Sequence, residues 1–132
     1  MFRVDDAFYD SPKVKSIPRG SARKGAVALW TLAGAWSDRW SQDGLIPADQ
    51  VAELHCSPKD AAWLVAAGLW HDADTPCHRD PDDSKKPCPP VPPGYYLFHD
   101  YPDFNDLKVD KEKRKAKARE RMQRLRNGGD TE

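Results

Sequence analysis

Two short helices forced into close succession constrain this chain more than any other feature. Between Ile46 and Trp70 the sequence reads IPADQVAELHCSPKDAAWLVAAGLW. Ser57 offers a hydroxyl suited to an N-cap, and Pro58 fits the first helical position, where no intrahelical N–H is needed. Asp60 at the third position favours the positive end of the helix dipole. Gly68 supplies the left-handed residue that stops a helix. In the first helix, Ala48 to His55, Val51 and Leu54 face inward; in the second, Ser57 to Ala67, the inward stripe is Ala61, Leu64, Val65 and Gly68. Helix, tight turn, capped helix and strand is the outline of a helix-turn-helix, and a following strand pair would make it a winged one.

The flanking segments extend this outline. Phe2 and Val4 alternate with Arg3 and Asp5, which predicts a short strand, and Val14 and Ile17 are placed to pin the N-terminal arm to the core. A long helix is expected over about Ser21 to Trp40. Its apolar stripe is Ala26, Leu29, Ala33, Trp36 and Trp40, with Val27 and Trp30 off it. Gly25 and Gly34 each lower helix propensity by about 1 kcal/mol against alanine, so close packing is the expected reason for them. Asp43-Gly44 reads as a turn and Leu45-Ile46 as a very short strand. Leu69-Trp70-His71 opens another strand, with Gly94 to Tyr101 as its aromatic partner. Between them Asp72 to Pro93 is a long, proline-rich polar loop at the position of a wing. The fold class expected is α+β, mainly α: a winged helix-turn-helix over residues 1–105, with 72–93 as an extended wing loop and 106–132 as a basic helix or tail.

Composition sharpens the function classes. The chain has 132 residues, twelve prolines and nearly a third charged residues, which suits one domain with a core of about 80–90 residues and polar extensions. No apolar run reaches bilayer length and no secretory h-region follows Met1, so a cytoplasmic protein without a membrane partner is expected. Three cysteines are an odd number for a disulfide scaffold. The zero net charge conceals an asymmetry: residues 107–127 hold ten basic and three acidic groups, net +7, whereas residues 1–106 carry −5 and the last five −2. Such a segment suits a polyanion, with Lys59, Lys85, Lys86, Lys108, Lys111, Lys113, Arg114, Lys115, Lys117, Arg119, Arg121, Arg124 and Arg126 as candidate phosphate contacts. It could equally fold back on the acidic body.

The second helix of the pair is poorly equipped to read bases. Its outward positions are Ser57, Lys59, Ala62, Trp63 and Ala66, with no Arg, Asn or Gln for bidentate contacts. Trp63 and Ala66 instead suggest a protein-docking surface, or a seat for another part of the chain. His71, Cys77, His78 and Cys88 are candidate metal ligands in and beside the loop, since thiolate and imidazole are zinc's preferred donors and a structural zinc would order the loop. The spacing is non-standard, and unliganded thiols are the plain alternative. His99-Asp100, at a strand end, reads as a hydrogen-bonding pair. No phosphate loop, nucleophile elbow or zinc-protease helix is present, so no enzyme is expected.

Together LWTLAGAWSDRWSQDGLIP, AAWLVAAGLW, GYYLFHDYPDFN and the Lys/Arg-rich tail resemble a group of small actinobacterial and actinobacteriophage helix-turn-helix, or replication-initiation-like, proteins. Their front domain is similar to the winged-helix domain of phage replisome organisers and primosomal helicase loaders. The resemblance spans about Phe2 to Arg126 without the 72–93 loop, and matches at Trp30, Trp36, Asp43-Gly44, Leu64-Val65, Gly68-Leu69-Trp70 and His99-Asp100. It implies a closely spaced cysteine pair after Gly-Leu-Trp; here Cys77 and Cys88 are eleven residues apart. The function expected is a non-enzymatic, phage- or prophage-type DNA-binding protein acting in replication or its regulation. The alternative is an adaptor docking a replication or host protein through Trp63, with a homodimer also compatible.

Overall fold

Three helices that each stop on a left-handed residue set the frame. The computed structural model describes residues 1–77, 87–105 and 108–129. After a 3-10 turn at Phe8–Asp10 and a short helix α1 (Pro12–Lys15) come α2 (Ser21–Arg39), β1 (Leu45–Pro47), α3 (Ala48–Glu53) and α4 (Pro58–Ala66). Then follow β2 (Trp70–His71), β3 (Tyr95–Phe98), α5 (Tyr101–Phe104) and α6 (Lys108–Gly129). The fold is thus α+β and mainly helical, as expected.

Helices α2, α3 and α4 end alike. Ser41, His55 and Gly68 take φ values of 53°, 61° and 79°. The next N–H then reaches back five residues: Gln42 to Ser37 O at 2.9 Å, Cys56 to Val51 O at 3.2 Å and Leu69 to Leu64 O at 3.0 Å. These bonds satisfy carbonyls that a helix end would otherwise leave open. At the start of α4 the Ser57 backbone N–H donates to Asp60 Oδ2 at 2.9 Å, the reciprocal half of a capping box. Asp43 and Gly44 both have positive φ, and their turn is tied down where the Gly44 N–H donates to the buried Ser37 hydroxyl at 2.8 Å.

The sheet has strand order β1-β3-β2 and is antiparallel throughout. Ile46 pairs with Tyr96, Trp70 with Phe98 and His71 with Leu97. The core lies between this sheet and α2, α3 and α4, and contains Ile17, Ala26, Leu29, Ala33, Ile46, Val51, Ala61, Leu64, Trp70, Phe98 and Tyr101. Phe98 is the aromatic hub, with ring centroids of Phe2, Trp30, Trp70 and Tyr101 at 5.3–5.8 Å. Trp70 is fully buried, and its indole N–H has no partner among the described residues, a cost of about 1–3 kcal/mol that its large buried ring offsets.

Three expectations need correction. Residues 1–5 form no strand; Phe2 enters the aromatic cluster as a single anchor, while Val4 is exposed. The α2 stripe does not reach Trp40, which is 60% exposed; it continues through Gly34 and Ser37, because helix termination at Arg39 turns Trp40 outward. The strand expected to run to Tyr101 ends at Phe98, and Tyr101 begins α5 with its ring buried. Val14 and Ile17 pin the arm as expected.

Both helical glycines of α2 are places of close approach. An added Cβ at Gly25 would strike the Asp60 carboxylate, and one at Gly34 the Phe2 ring. Gly34→Ala is expected to destabilise the fold by about 1–3 kcal/mol through overpacking. A urea midpoint that falls with unchanged slope checks this. In a Phe2→Ala background the same substitution should become nearly neutral, since the atoms it strikes are gone.

Candidate metal centre and basic helix

Antiparallel pairing brings two histidines together. His71 lies opposite Leu97, and side chains alternate along a strand, so His71 and His99 are diagonal neighbours on one face of the sheet. Trp70, Tyr96 and Phe98 occupy the other face with the core. The His99 N–H donates to Leu69 O at 2.9 Å, extending the ladder by one residue. His71 Nε2 and His99 Nδ1 are 2.8 Å apart.

The connection after β2 adds two thiols. Cys77 Sγ lies 3.9 Å and Cys88 Sγ 3.4 Å from His99 Nδ1. One donor atom each from His71, Cys77, Cys88 and His99 falls within 4.8 Å of all the others. Tetrahedral zinc with ordinary bond lengths needs ligand separations of about 3.3 Å for N–N, 3.5 Å for N–S and 3.8 Å for S–S. The Cys88 distance meets that requirement, Cys77 would have to close in by about 0.4 Å, and the imidazoles would have to part by about 0.5 Å.

The surroundings fit a cation as well. His99 Nε2 is 3.1 Å from Asp100 Oδ2, so in the neutral ring a proton on Nε2 serves the carboxylate and leaves Nδ1, beside His71 Nε2 and the two thiols, as the lone-pair nitrogen. A carboxylate behind a histidine in this way orients metal-ligating imidazoles and raises their basicity. Asp100 is held in the left-handed region at φ 56°, which turns its carboxylate back onto the preceding residue. Burial is the main cause that raises the Cys88 thiol above its ordinary range; the Asp100 backbone N–H opposes the shift, and Cys77 and the Asp100 charge add to it. Two thiolates held this close need a positive charge to be stable.

His99 was expected to be only a hydrogen-bonding partner of Asp100; it is that, and also the centre of the cluster. A signal for it exists in the sequence. Leu69-Trp70-His71 and Leu97-Phe98-His99 repeat a Leu–aromatic–His triplet, and pairing the aromatic residues in the core throws both histidines onto the opposite face. His78, Lys85 and Lys86 lie outside the described residues. The remaining thiol, Cys56, is apart from the cluster; burial first, then the Asp60 charge, raises it, and its Sγ lies 3.5 Å from Leu54 O.

The basic segment is helical. In α6 the side chains of Lys108, Lys113, Arg114, Lys115, Lys117, Arg119, Arg121, Arg124 and Arg126 are exposed. Lys111 differs from the expectation of a phosphate contact. Its ammonium bonds Asp38 Oδ1 at 3.0 Å and Asp38 O at 2.6 Å, so it moors α6 to the end of α2. The Lys108 N–H donates to Asp43 Oδ1 at 2.7 Å. Of the outward residues of α4, Lys59 and Ala66 are exposed, whereas Trp63 is half-buried and packs against the core. No helix among the described residues is long and apolar enough to cross a membrane. Comparison with protein-family models, curated proteins and solved structures finds no match.

Burial acts to raise the Asp38 carboxyl, but hydrogen bonds and charge from the N-terminal ammonium and Lys111 outweigh it, so the group is held below its ordinary value of 3.8. A depressed carboxyl contributes stability that is present above 3.8 and is lost as pH falls through the lower folded-state value. Mooring of α6 should therefore be constant at neutral pH and weaken only below about pH 4. Asp38→Asn should raise amide exchange in residues 108–112 by about tenfold at pH 7 and remove that acid dependence; unchanged exchange would show that the contact does not hold the helix.

Proposed function

We propose that this chain is a non-enzymatic winged-helix DNA-binding protein whose wing is anchored by a structural zinc ion. The order α2-β1-α3-α4-β2-β3, with β3 between β1 and β2, supports reading α3 and α4 as the helix-turn-helix and the 72–93 connection as the wing. The observation that carries DNA binding is α6, a 22-residue helix moored at its first turn and exposing nine cations beyond the Lys111 anchor. Phosphate contacts from these groups are sequence-independent and released by salt. Helix α4, with Lys59 as its one outward cation, plays little part in base readout. A role in phage or prophage replication, or its regulation, follows from the resemblance of the sequence segments and is part of the same proposal.

His71, Cys77, Cys88 and His99 would hold the zinc, with Asp100 supporting His99. Four protein donors fill a tetrahedral shell and leave no position for a reacting water, which is the arrangement of a structural ion. When bound, zinc supplies the charge that keeps both thiols deprotonated.

Elemental analysis of protein purified without chelator is expected to give one zinc per chain. Cys88→Ser or His99→Ala should lower the occupancy, and chelation should lower the melting temperature of the wild type but not of those variants. Absence of zinc from well-folded protein would refute the metal part. For the DNA part, affinity for a mixed-sequence duplex should fall steeply between low and physiological salt. Deleting the chain after Asn105 should cost about 100-fold or more in affinity, as expected for loss of several phosphate contacts; equal binding by the truncated protein would refute it.

A further inference from the structure

Helix α6 is not cationic in a uniform way. At about 100° per residue, Lys113, Lys117 and Arg124 fall on one flank. Lys115, Arg119 and Arg126 fall about half a turn away on the opposite flank. The arc between them on one side carries Ala118, Met122 and Leu125 together with Arg114 and Arg121; the arc on the other side carries Ala116, Gln123 and two glutamates, Glu112 and Glu120. All six flanking cations are exposed, as are Met122 and Leu125 at 56% and 71%. A helix lying on a single strand or a flat anionic surface would gather its cations on one side. Here, beyond the first turn, cations run around about two-thirds of the circumference, from Lys113 through Arg121 and Arg114 to Arg119, wider than a flat surface can touch at once. Ala118, Met122 and Leu125 lie near the middle of that face, and Glu112 and Glu120 in the remaining third.

Resting on the DNA-binding reading above, we propose that α6 lies in the major groove of duplex DNA. Lys113, Lys117 and Arg124 meet the phosphates of one strand, and Lys115, Arg119 and Arg126 those of the other. The B-form major groove is about 12 Å wide and an α-helix with side chains is about 10–12 Å across, so the flanks reach both walls at once. Ala118, Met122 and Leu125 then face the groove floor, where thymine methyl groups offer apolar contacts and Arg121 can reach a guanine edge. Glu112 and Glu120 fall outside the two flanks, about 140° from the centre of the groove-facing arc. A-form RNA has a deep, narrow major groove that does not admit a helix, so duplex DNA is the partner this arrangement fits. The Lys111–Asp38 contact fixes the point from which the helix leaves the domain.

The test compares two triple variants of the full-length protein, K113Q/K117Q/R124Q and K115Q/R119Q/R126Q, with E112Q/E120Q as control. All changed side chains are on the surface and glutamine is a good helix former, so unchanged helicity by circular dichroism establishes that each variant is folded. Each triple variant should lower the slope of log affinity against log salt by about 2–3, at roughly 0.9 per phosphate. The glutamate control should bind as tightly as the wild type or more tightly. A duplex bearing glucosylated hydroxymethylcytosine, which fills the major groove, should bind about tenfold more weakly or worse, whereas the minor-groove ligand netropsin should not compete. Sensitivity of one flank alone, equal binding of double-stranded RNA, or competition by netropsin with indifference to glucosylation would each overturn the major-groove assignment while leaving DNA binding intact. Failure of the wild type to bind any duplex would overturn both readings.

Discussion

Central strand β3 is the constraint on which the rest of the molecule depends. It is bonded to β1 along one edge and to β2 along the other, so its register fixes which residues of three strands share a face. Phe98 points into the core, where it meets the rings of Phe2, Trp30, Trp70 and Tyr101. Leu97 and His99 must then point the other way, along with His71. A slip of one residue would bury both histidines among aromatic rings and bring Phe98 out to the opposite face of the sheet. The aromatic core and the pairing of the two histidines are therefore two consequences of one register. The diagonal placement of His71 and His99 comes from the pleat of the sheet, with no special loop needed to create it.

Much of this was legible in the sequence because local chemistry specified it. Ser57, Pro58, Asp60 and Gly68 act within their own turns of chain, and the structure places each in the expected role. The close packing expected of Gly25 and Gly34 is likewise present. What escaped were features decided by distant partners. Trp40 fits the apolar period of α2, yet the six-to-one bond from Gln42 to Ser37 ends the helix before it. Phe2 looked like one tooth of a strand, but Gly34 opens a slot that receives it as a single anchor. His99 was read with its chain neighbour Asp100, a correct but incomplete pairing, because its other partners lie 28, 22 and 11 residues away. Lys111 could not be separated from its basic neighbours without knowing that Asp38 lies opposite it.

The two ends of the molecule divide the electrostatic labour. Within the first turn of α6, Lys111 is engaged with Asp38, and the Lys108 N–H with Asp43. The alternative of a tail folded back over the acidic domain thus holds at this mooring point. The body's negative charge would repel a polyanion laid across it, whereas a helix of 22 residues extends about 33 Å and presents its charge at a distance from that field. At an ionic strength near physiological the screening length is about 8 Å. On the DNA-binding proposal, most of α6 would therefore meet the polyanion largely independently of the domain's own charge, and the domain's contribution would be to set the helix direction.

The connection between β2 and β3 raises the question of what keeps Cys77 and Cys88 beside His99. No hydrophobic cluster covers that stretch among the described residues, since the packed core lies on the opposite face of the sheet. Closing a loop of the size between the two cysteines costs about 2 kcal/mol plus a constant, and each ordered backbone residue adds about 1–2 kcal/mol. The cluster's own hydrogen bonds, at about 1 kcal/mol each, do not offset that. A structural zinc contributes on the order of 10–16 kcal/mol at neutral pH, which does. Burial disfavours the Cys88 thiolate and Cys77 adds to the effect; with the proposed ion, the same proximity would become the source of affinity. On the zinc proposal, the balance of these magnitudes would make the His71–Cys77–Cys88–His99 geometry a metal-dependent closure of the 72–93 connection onto a sheet that is already formed by packing.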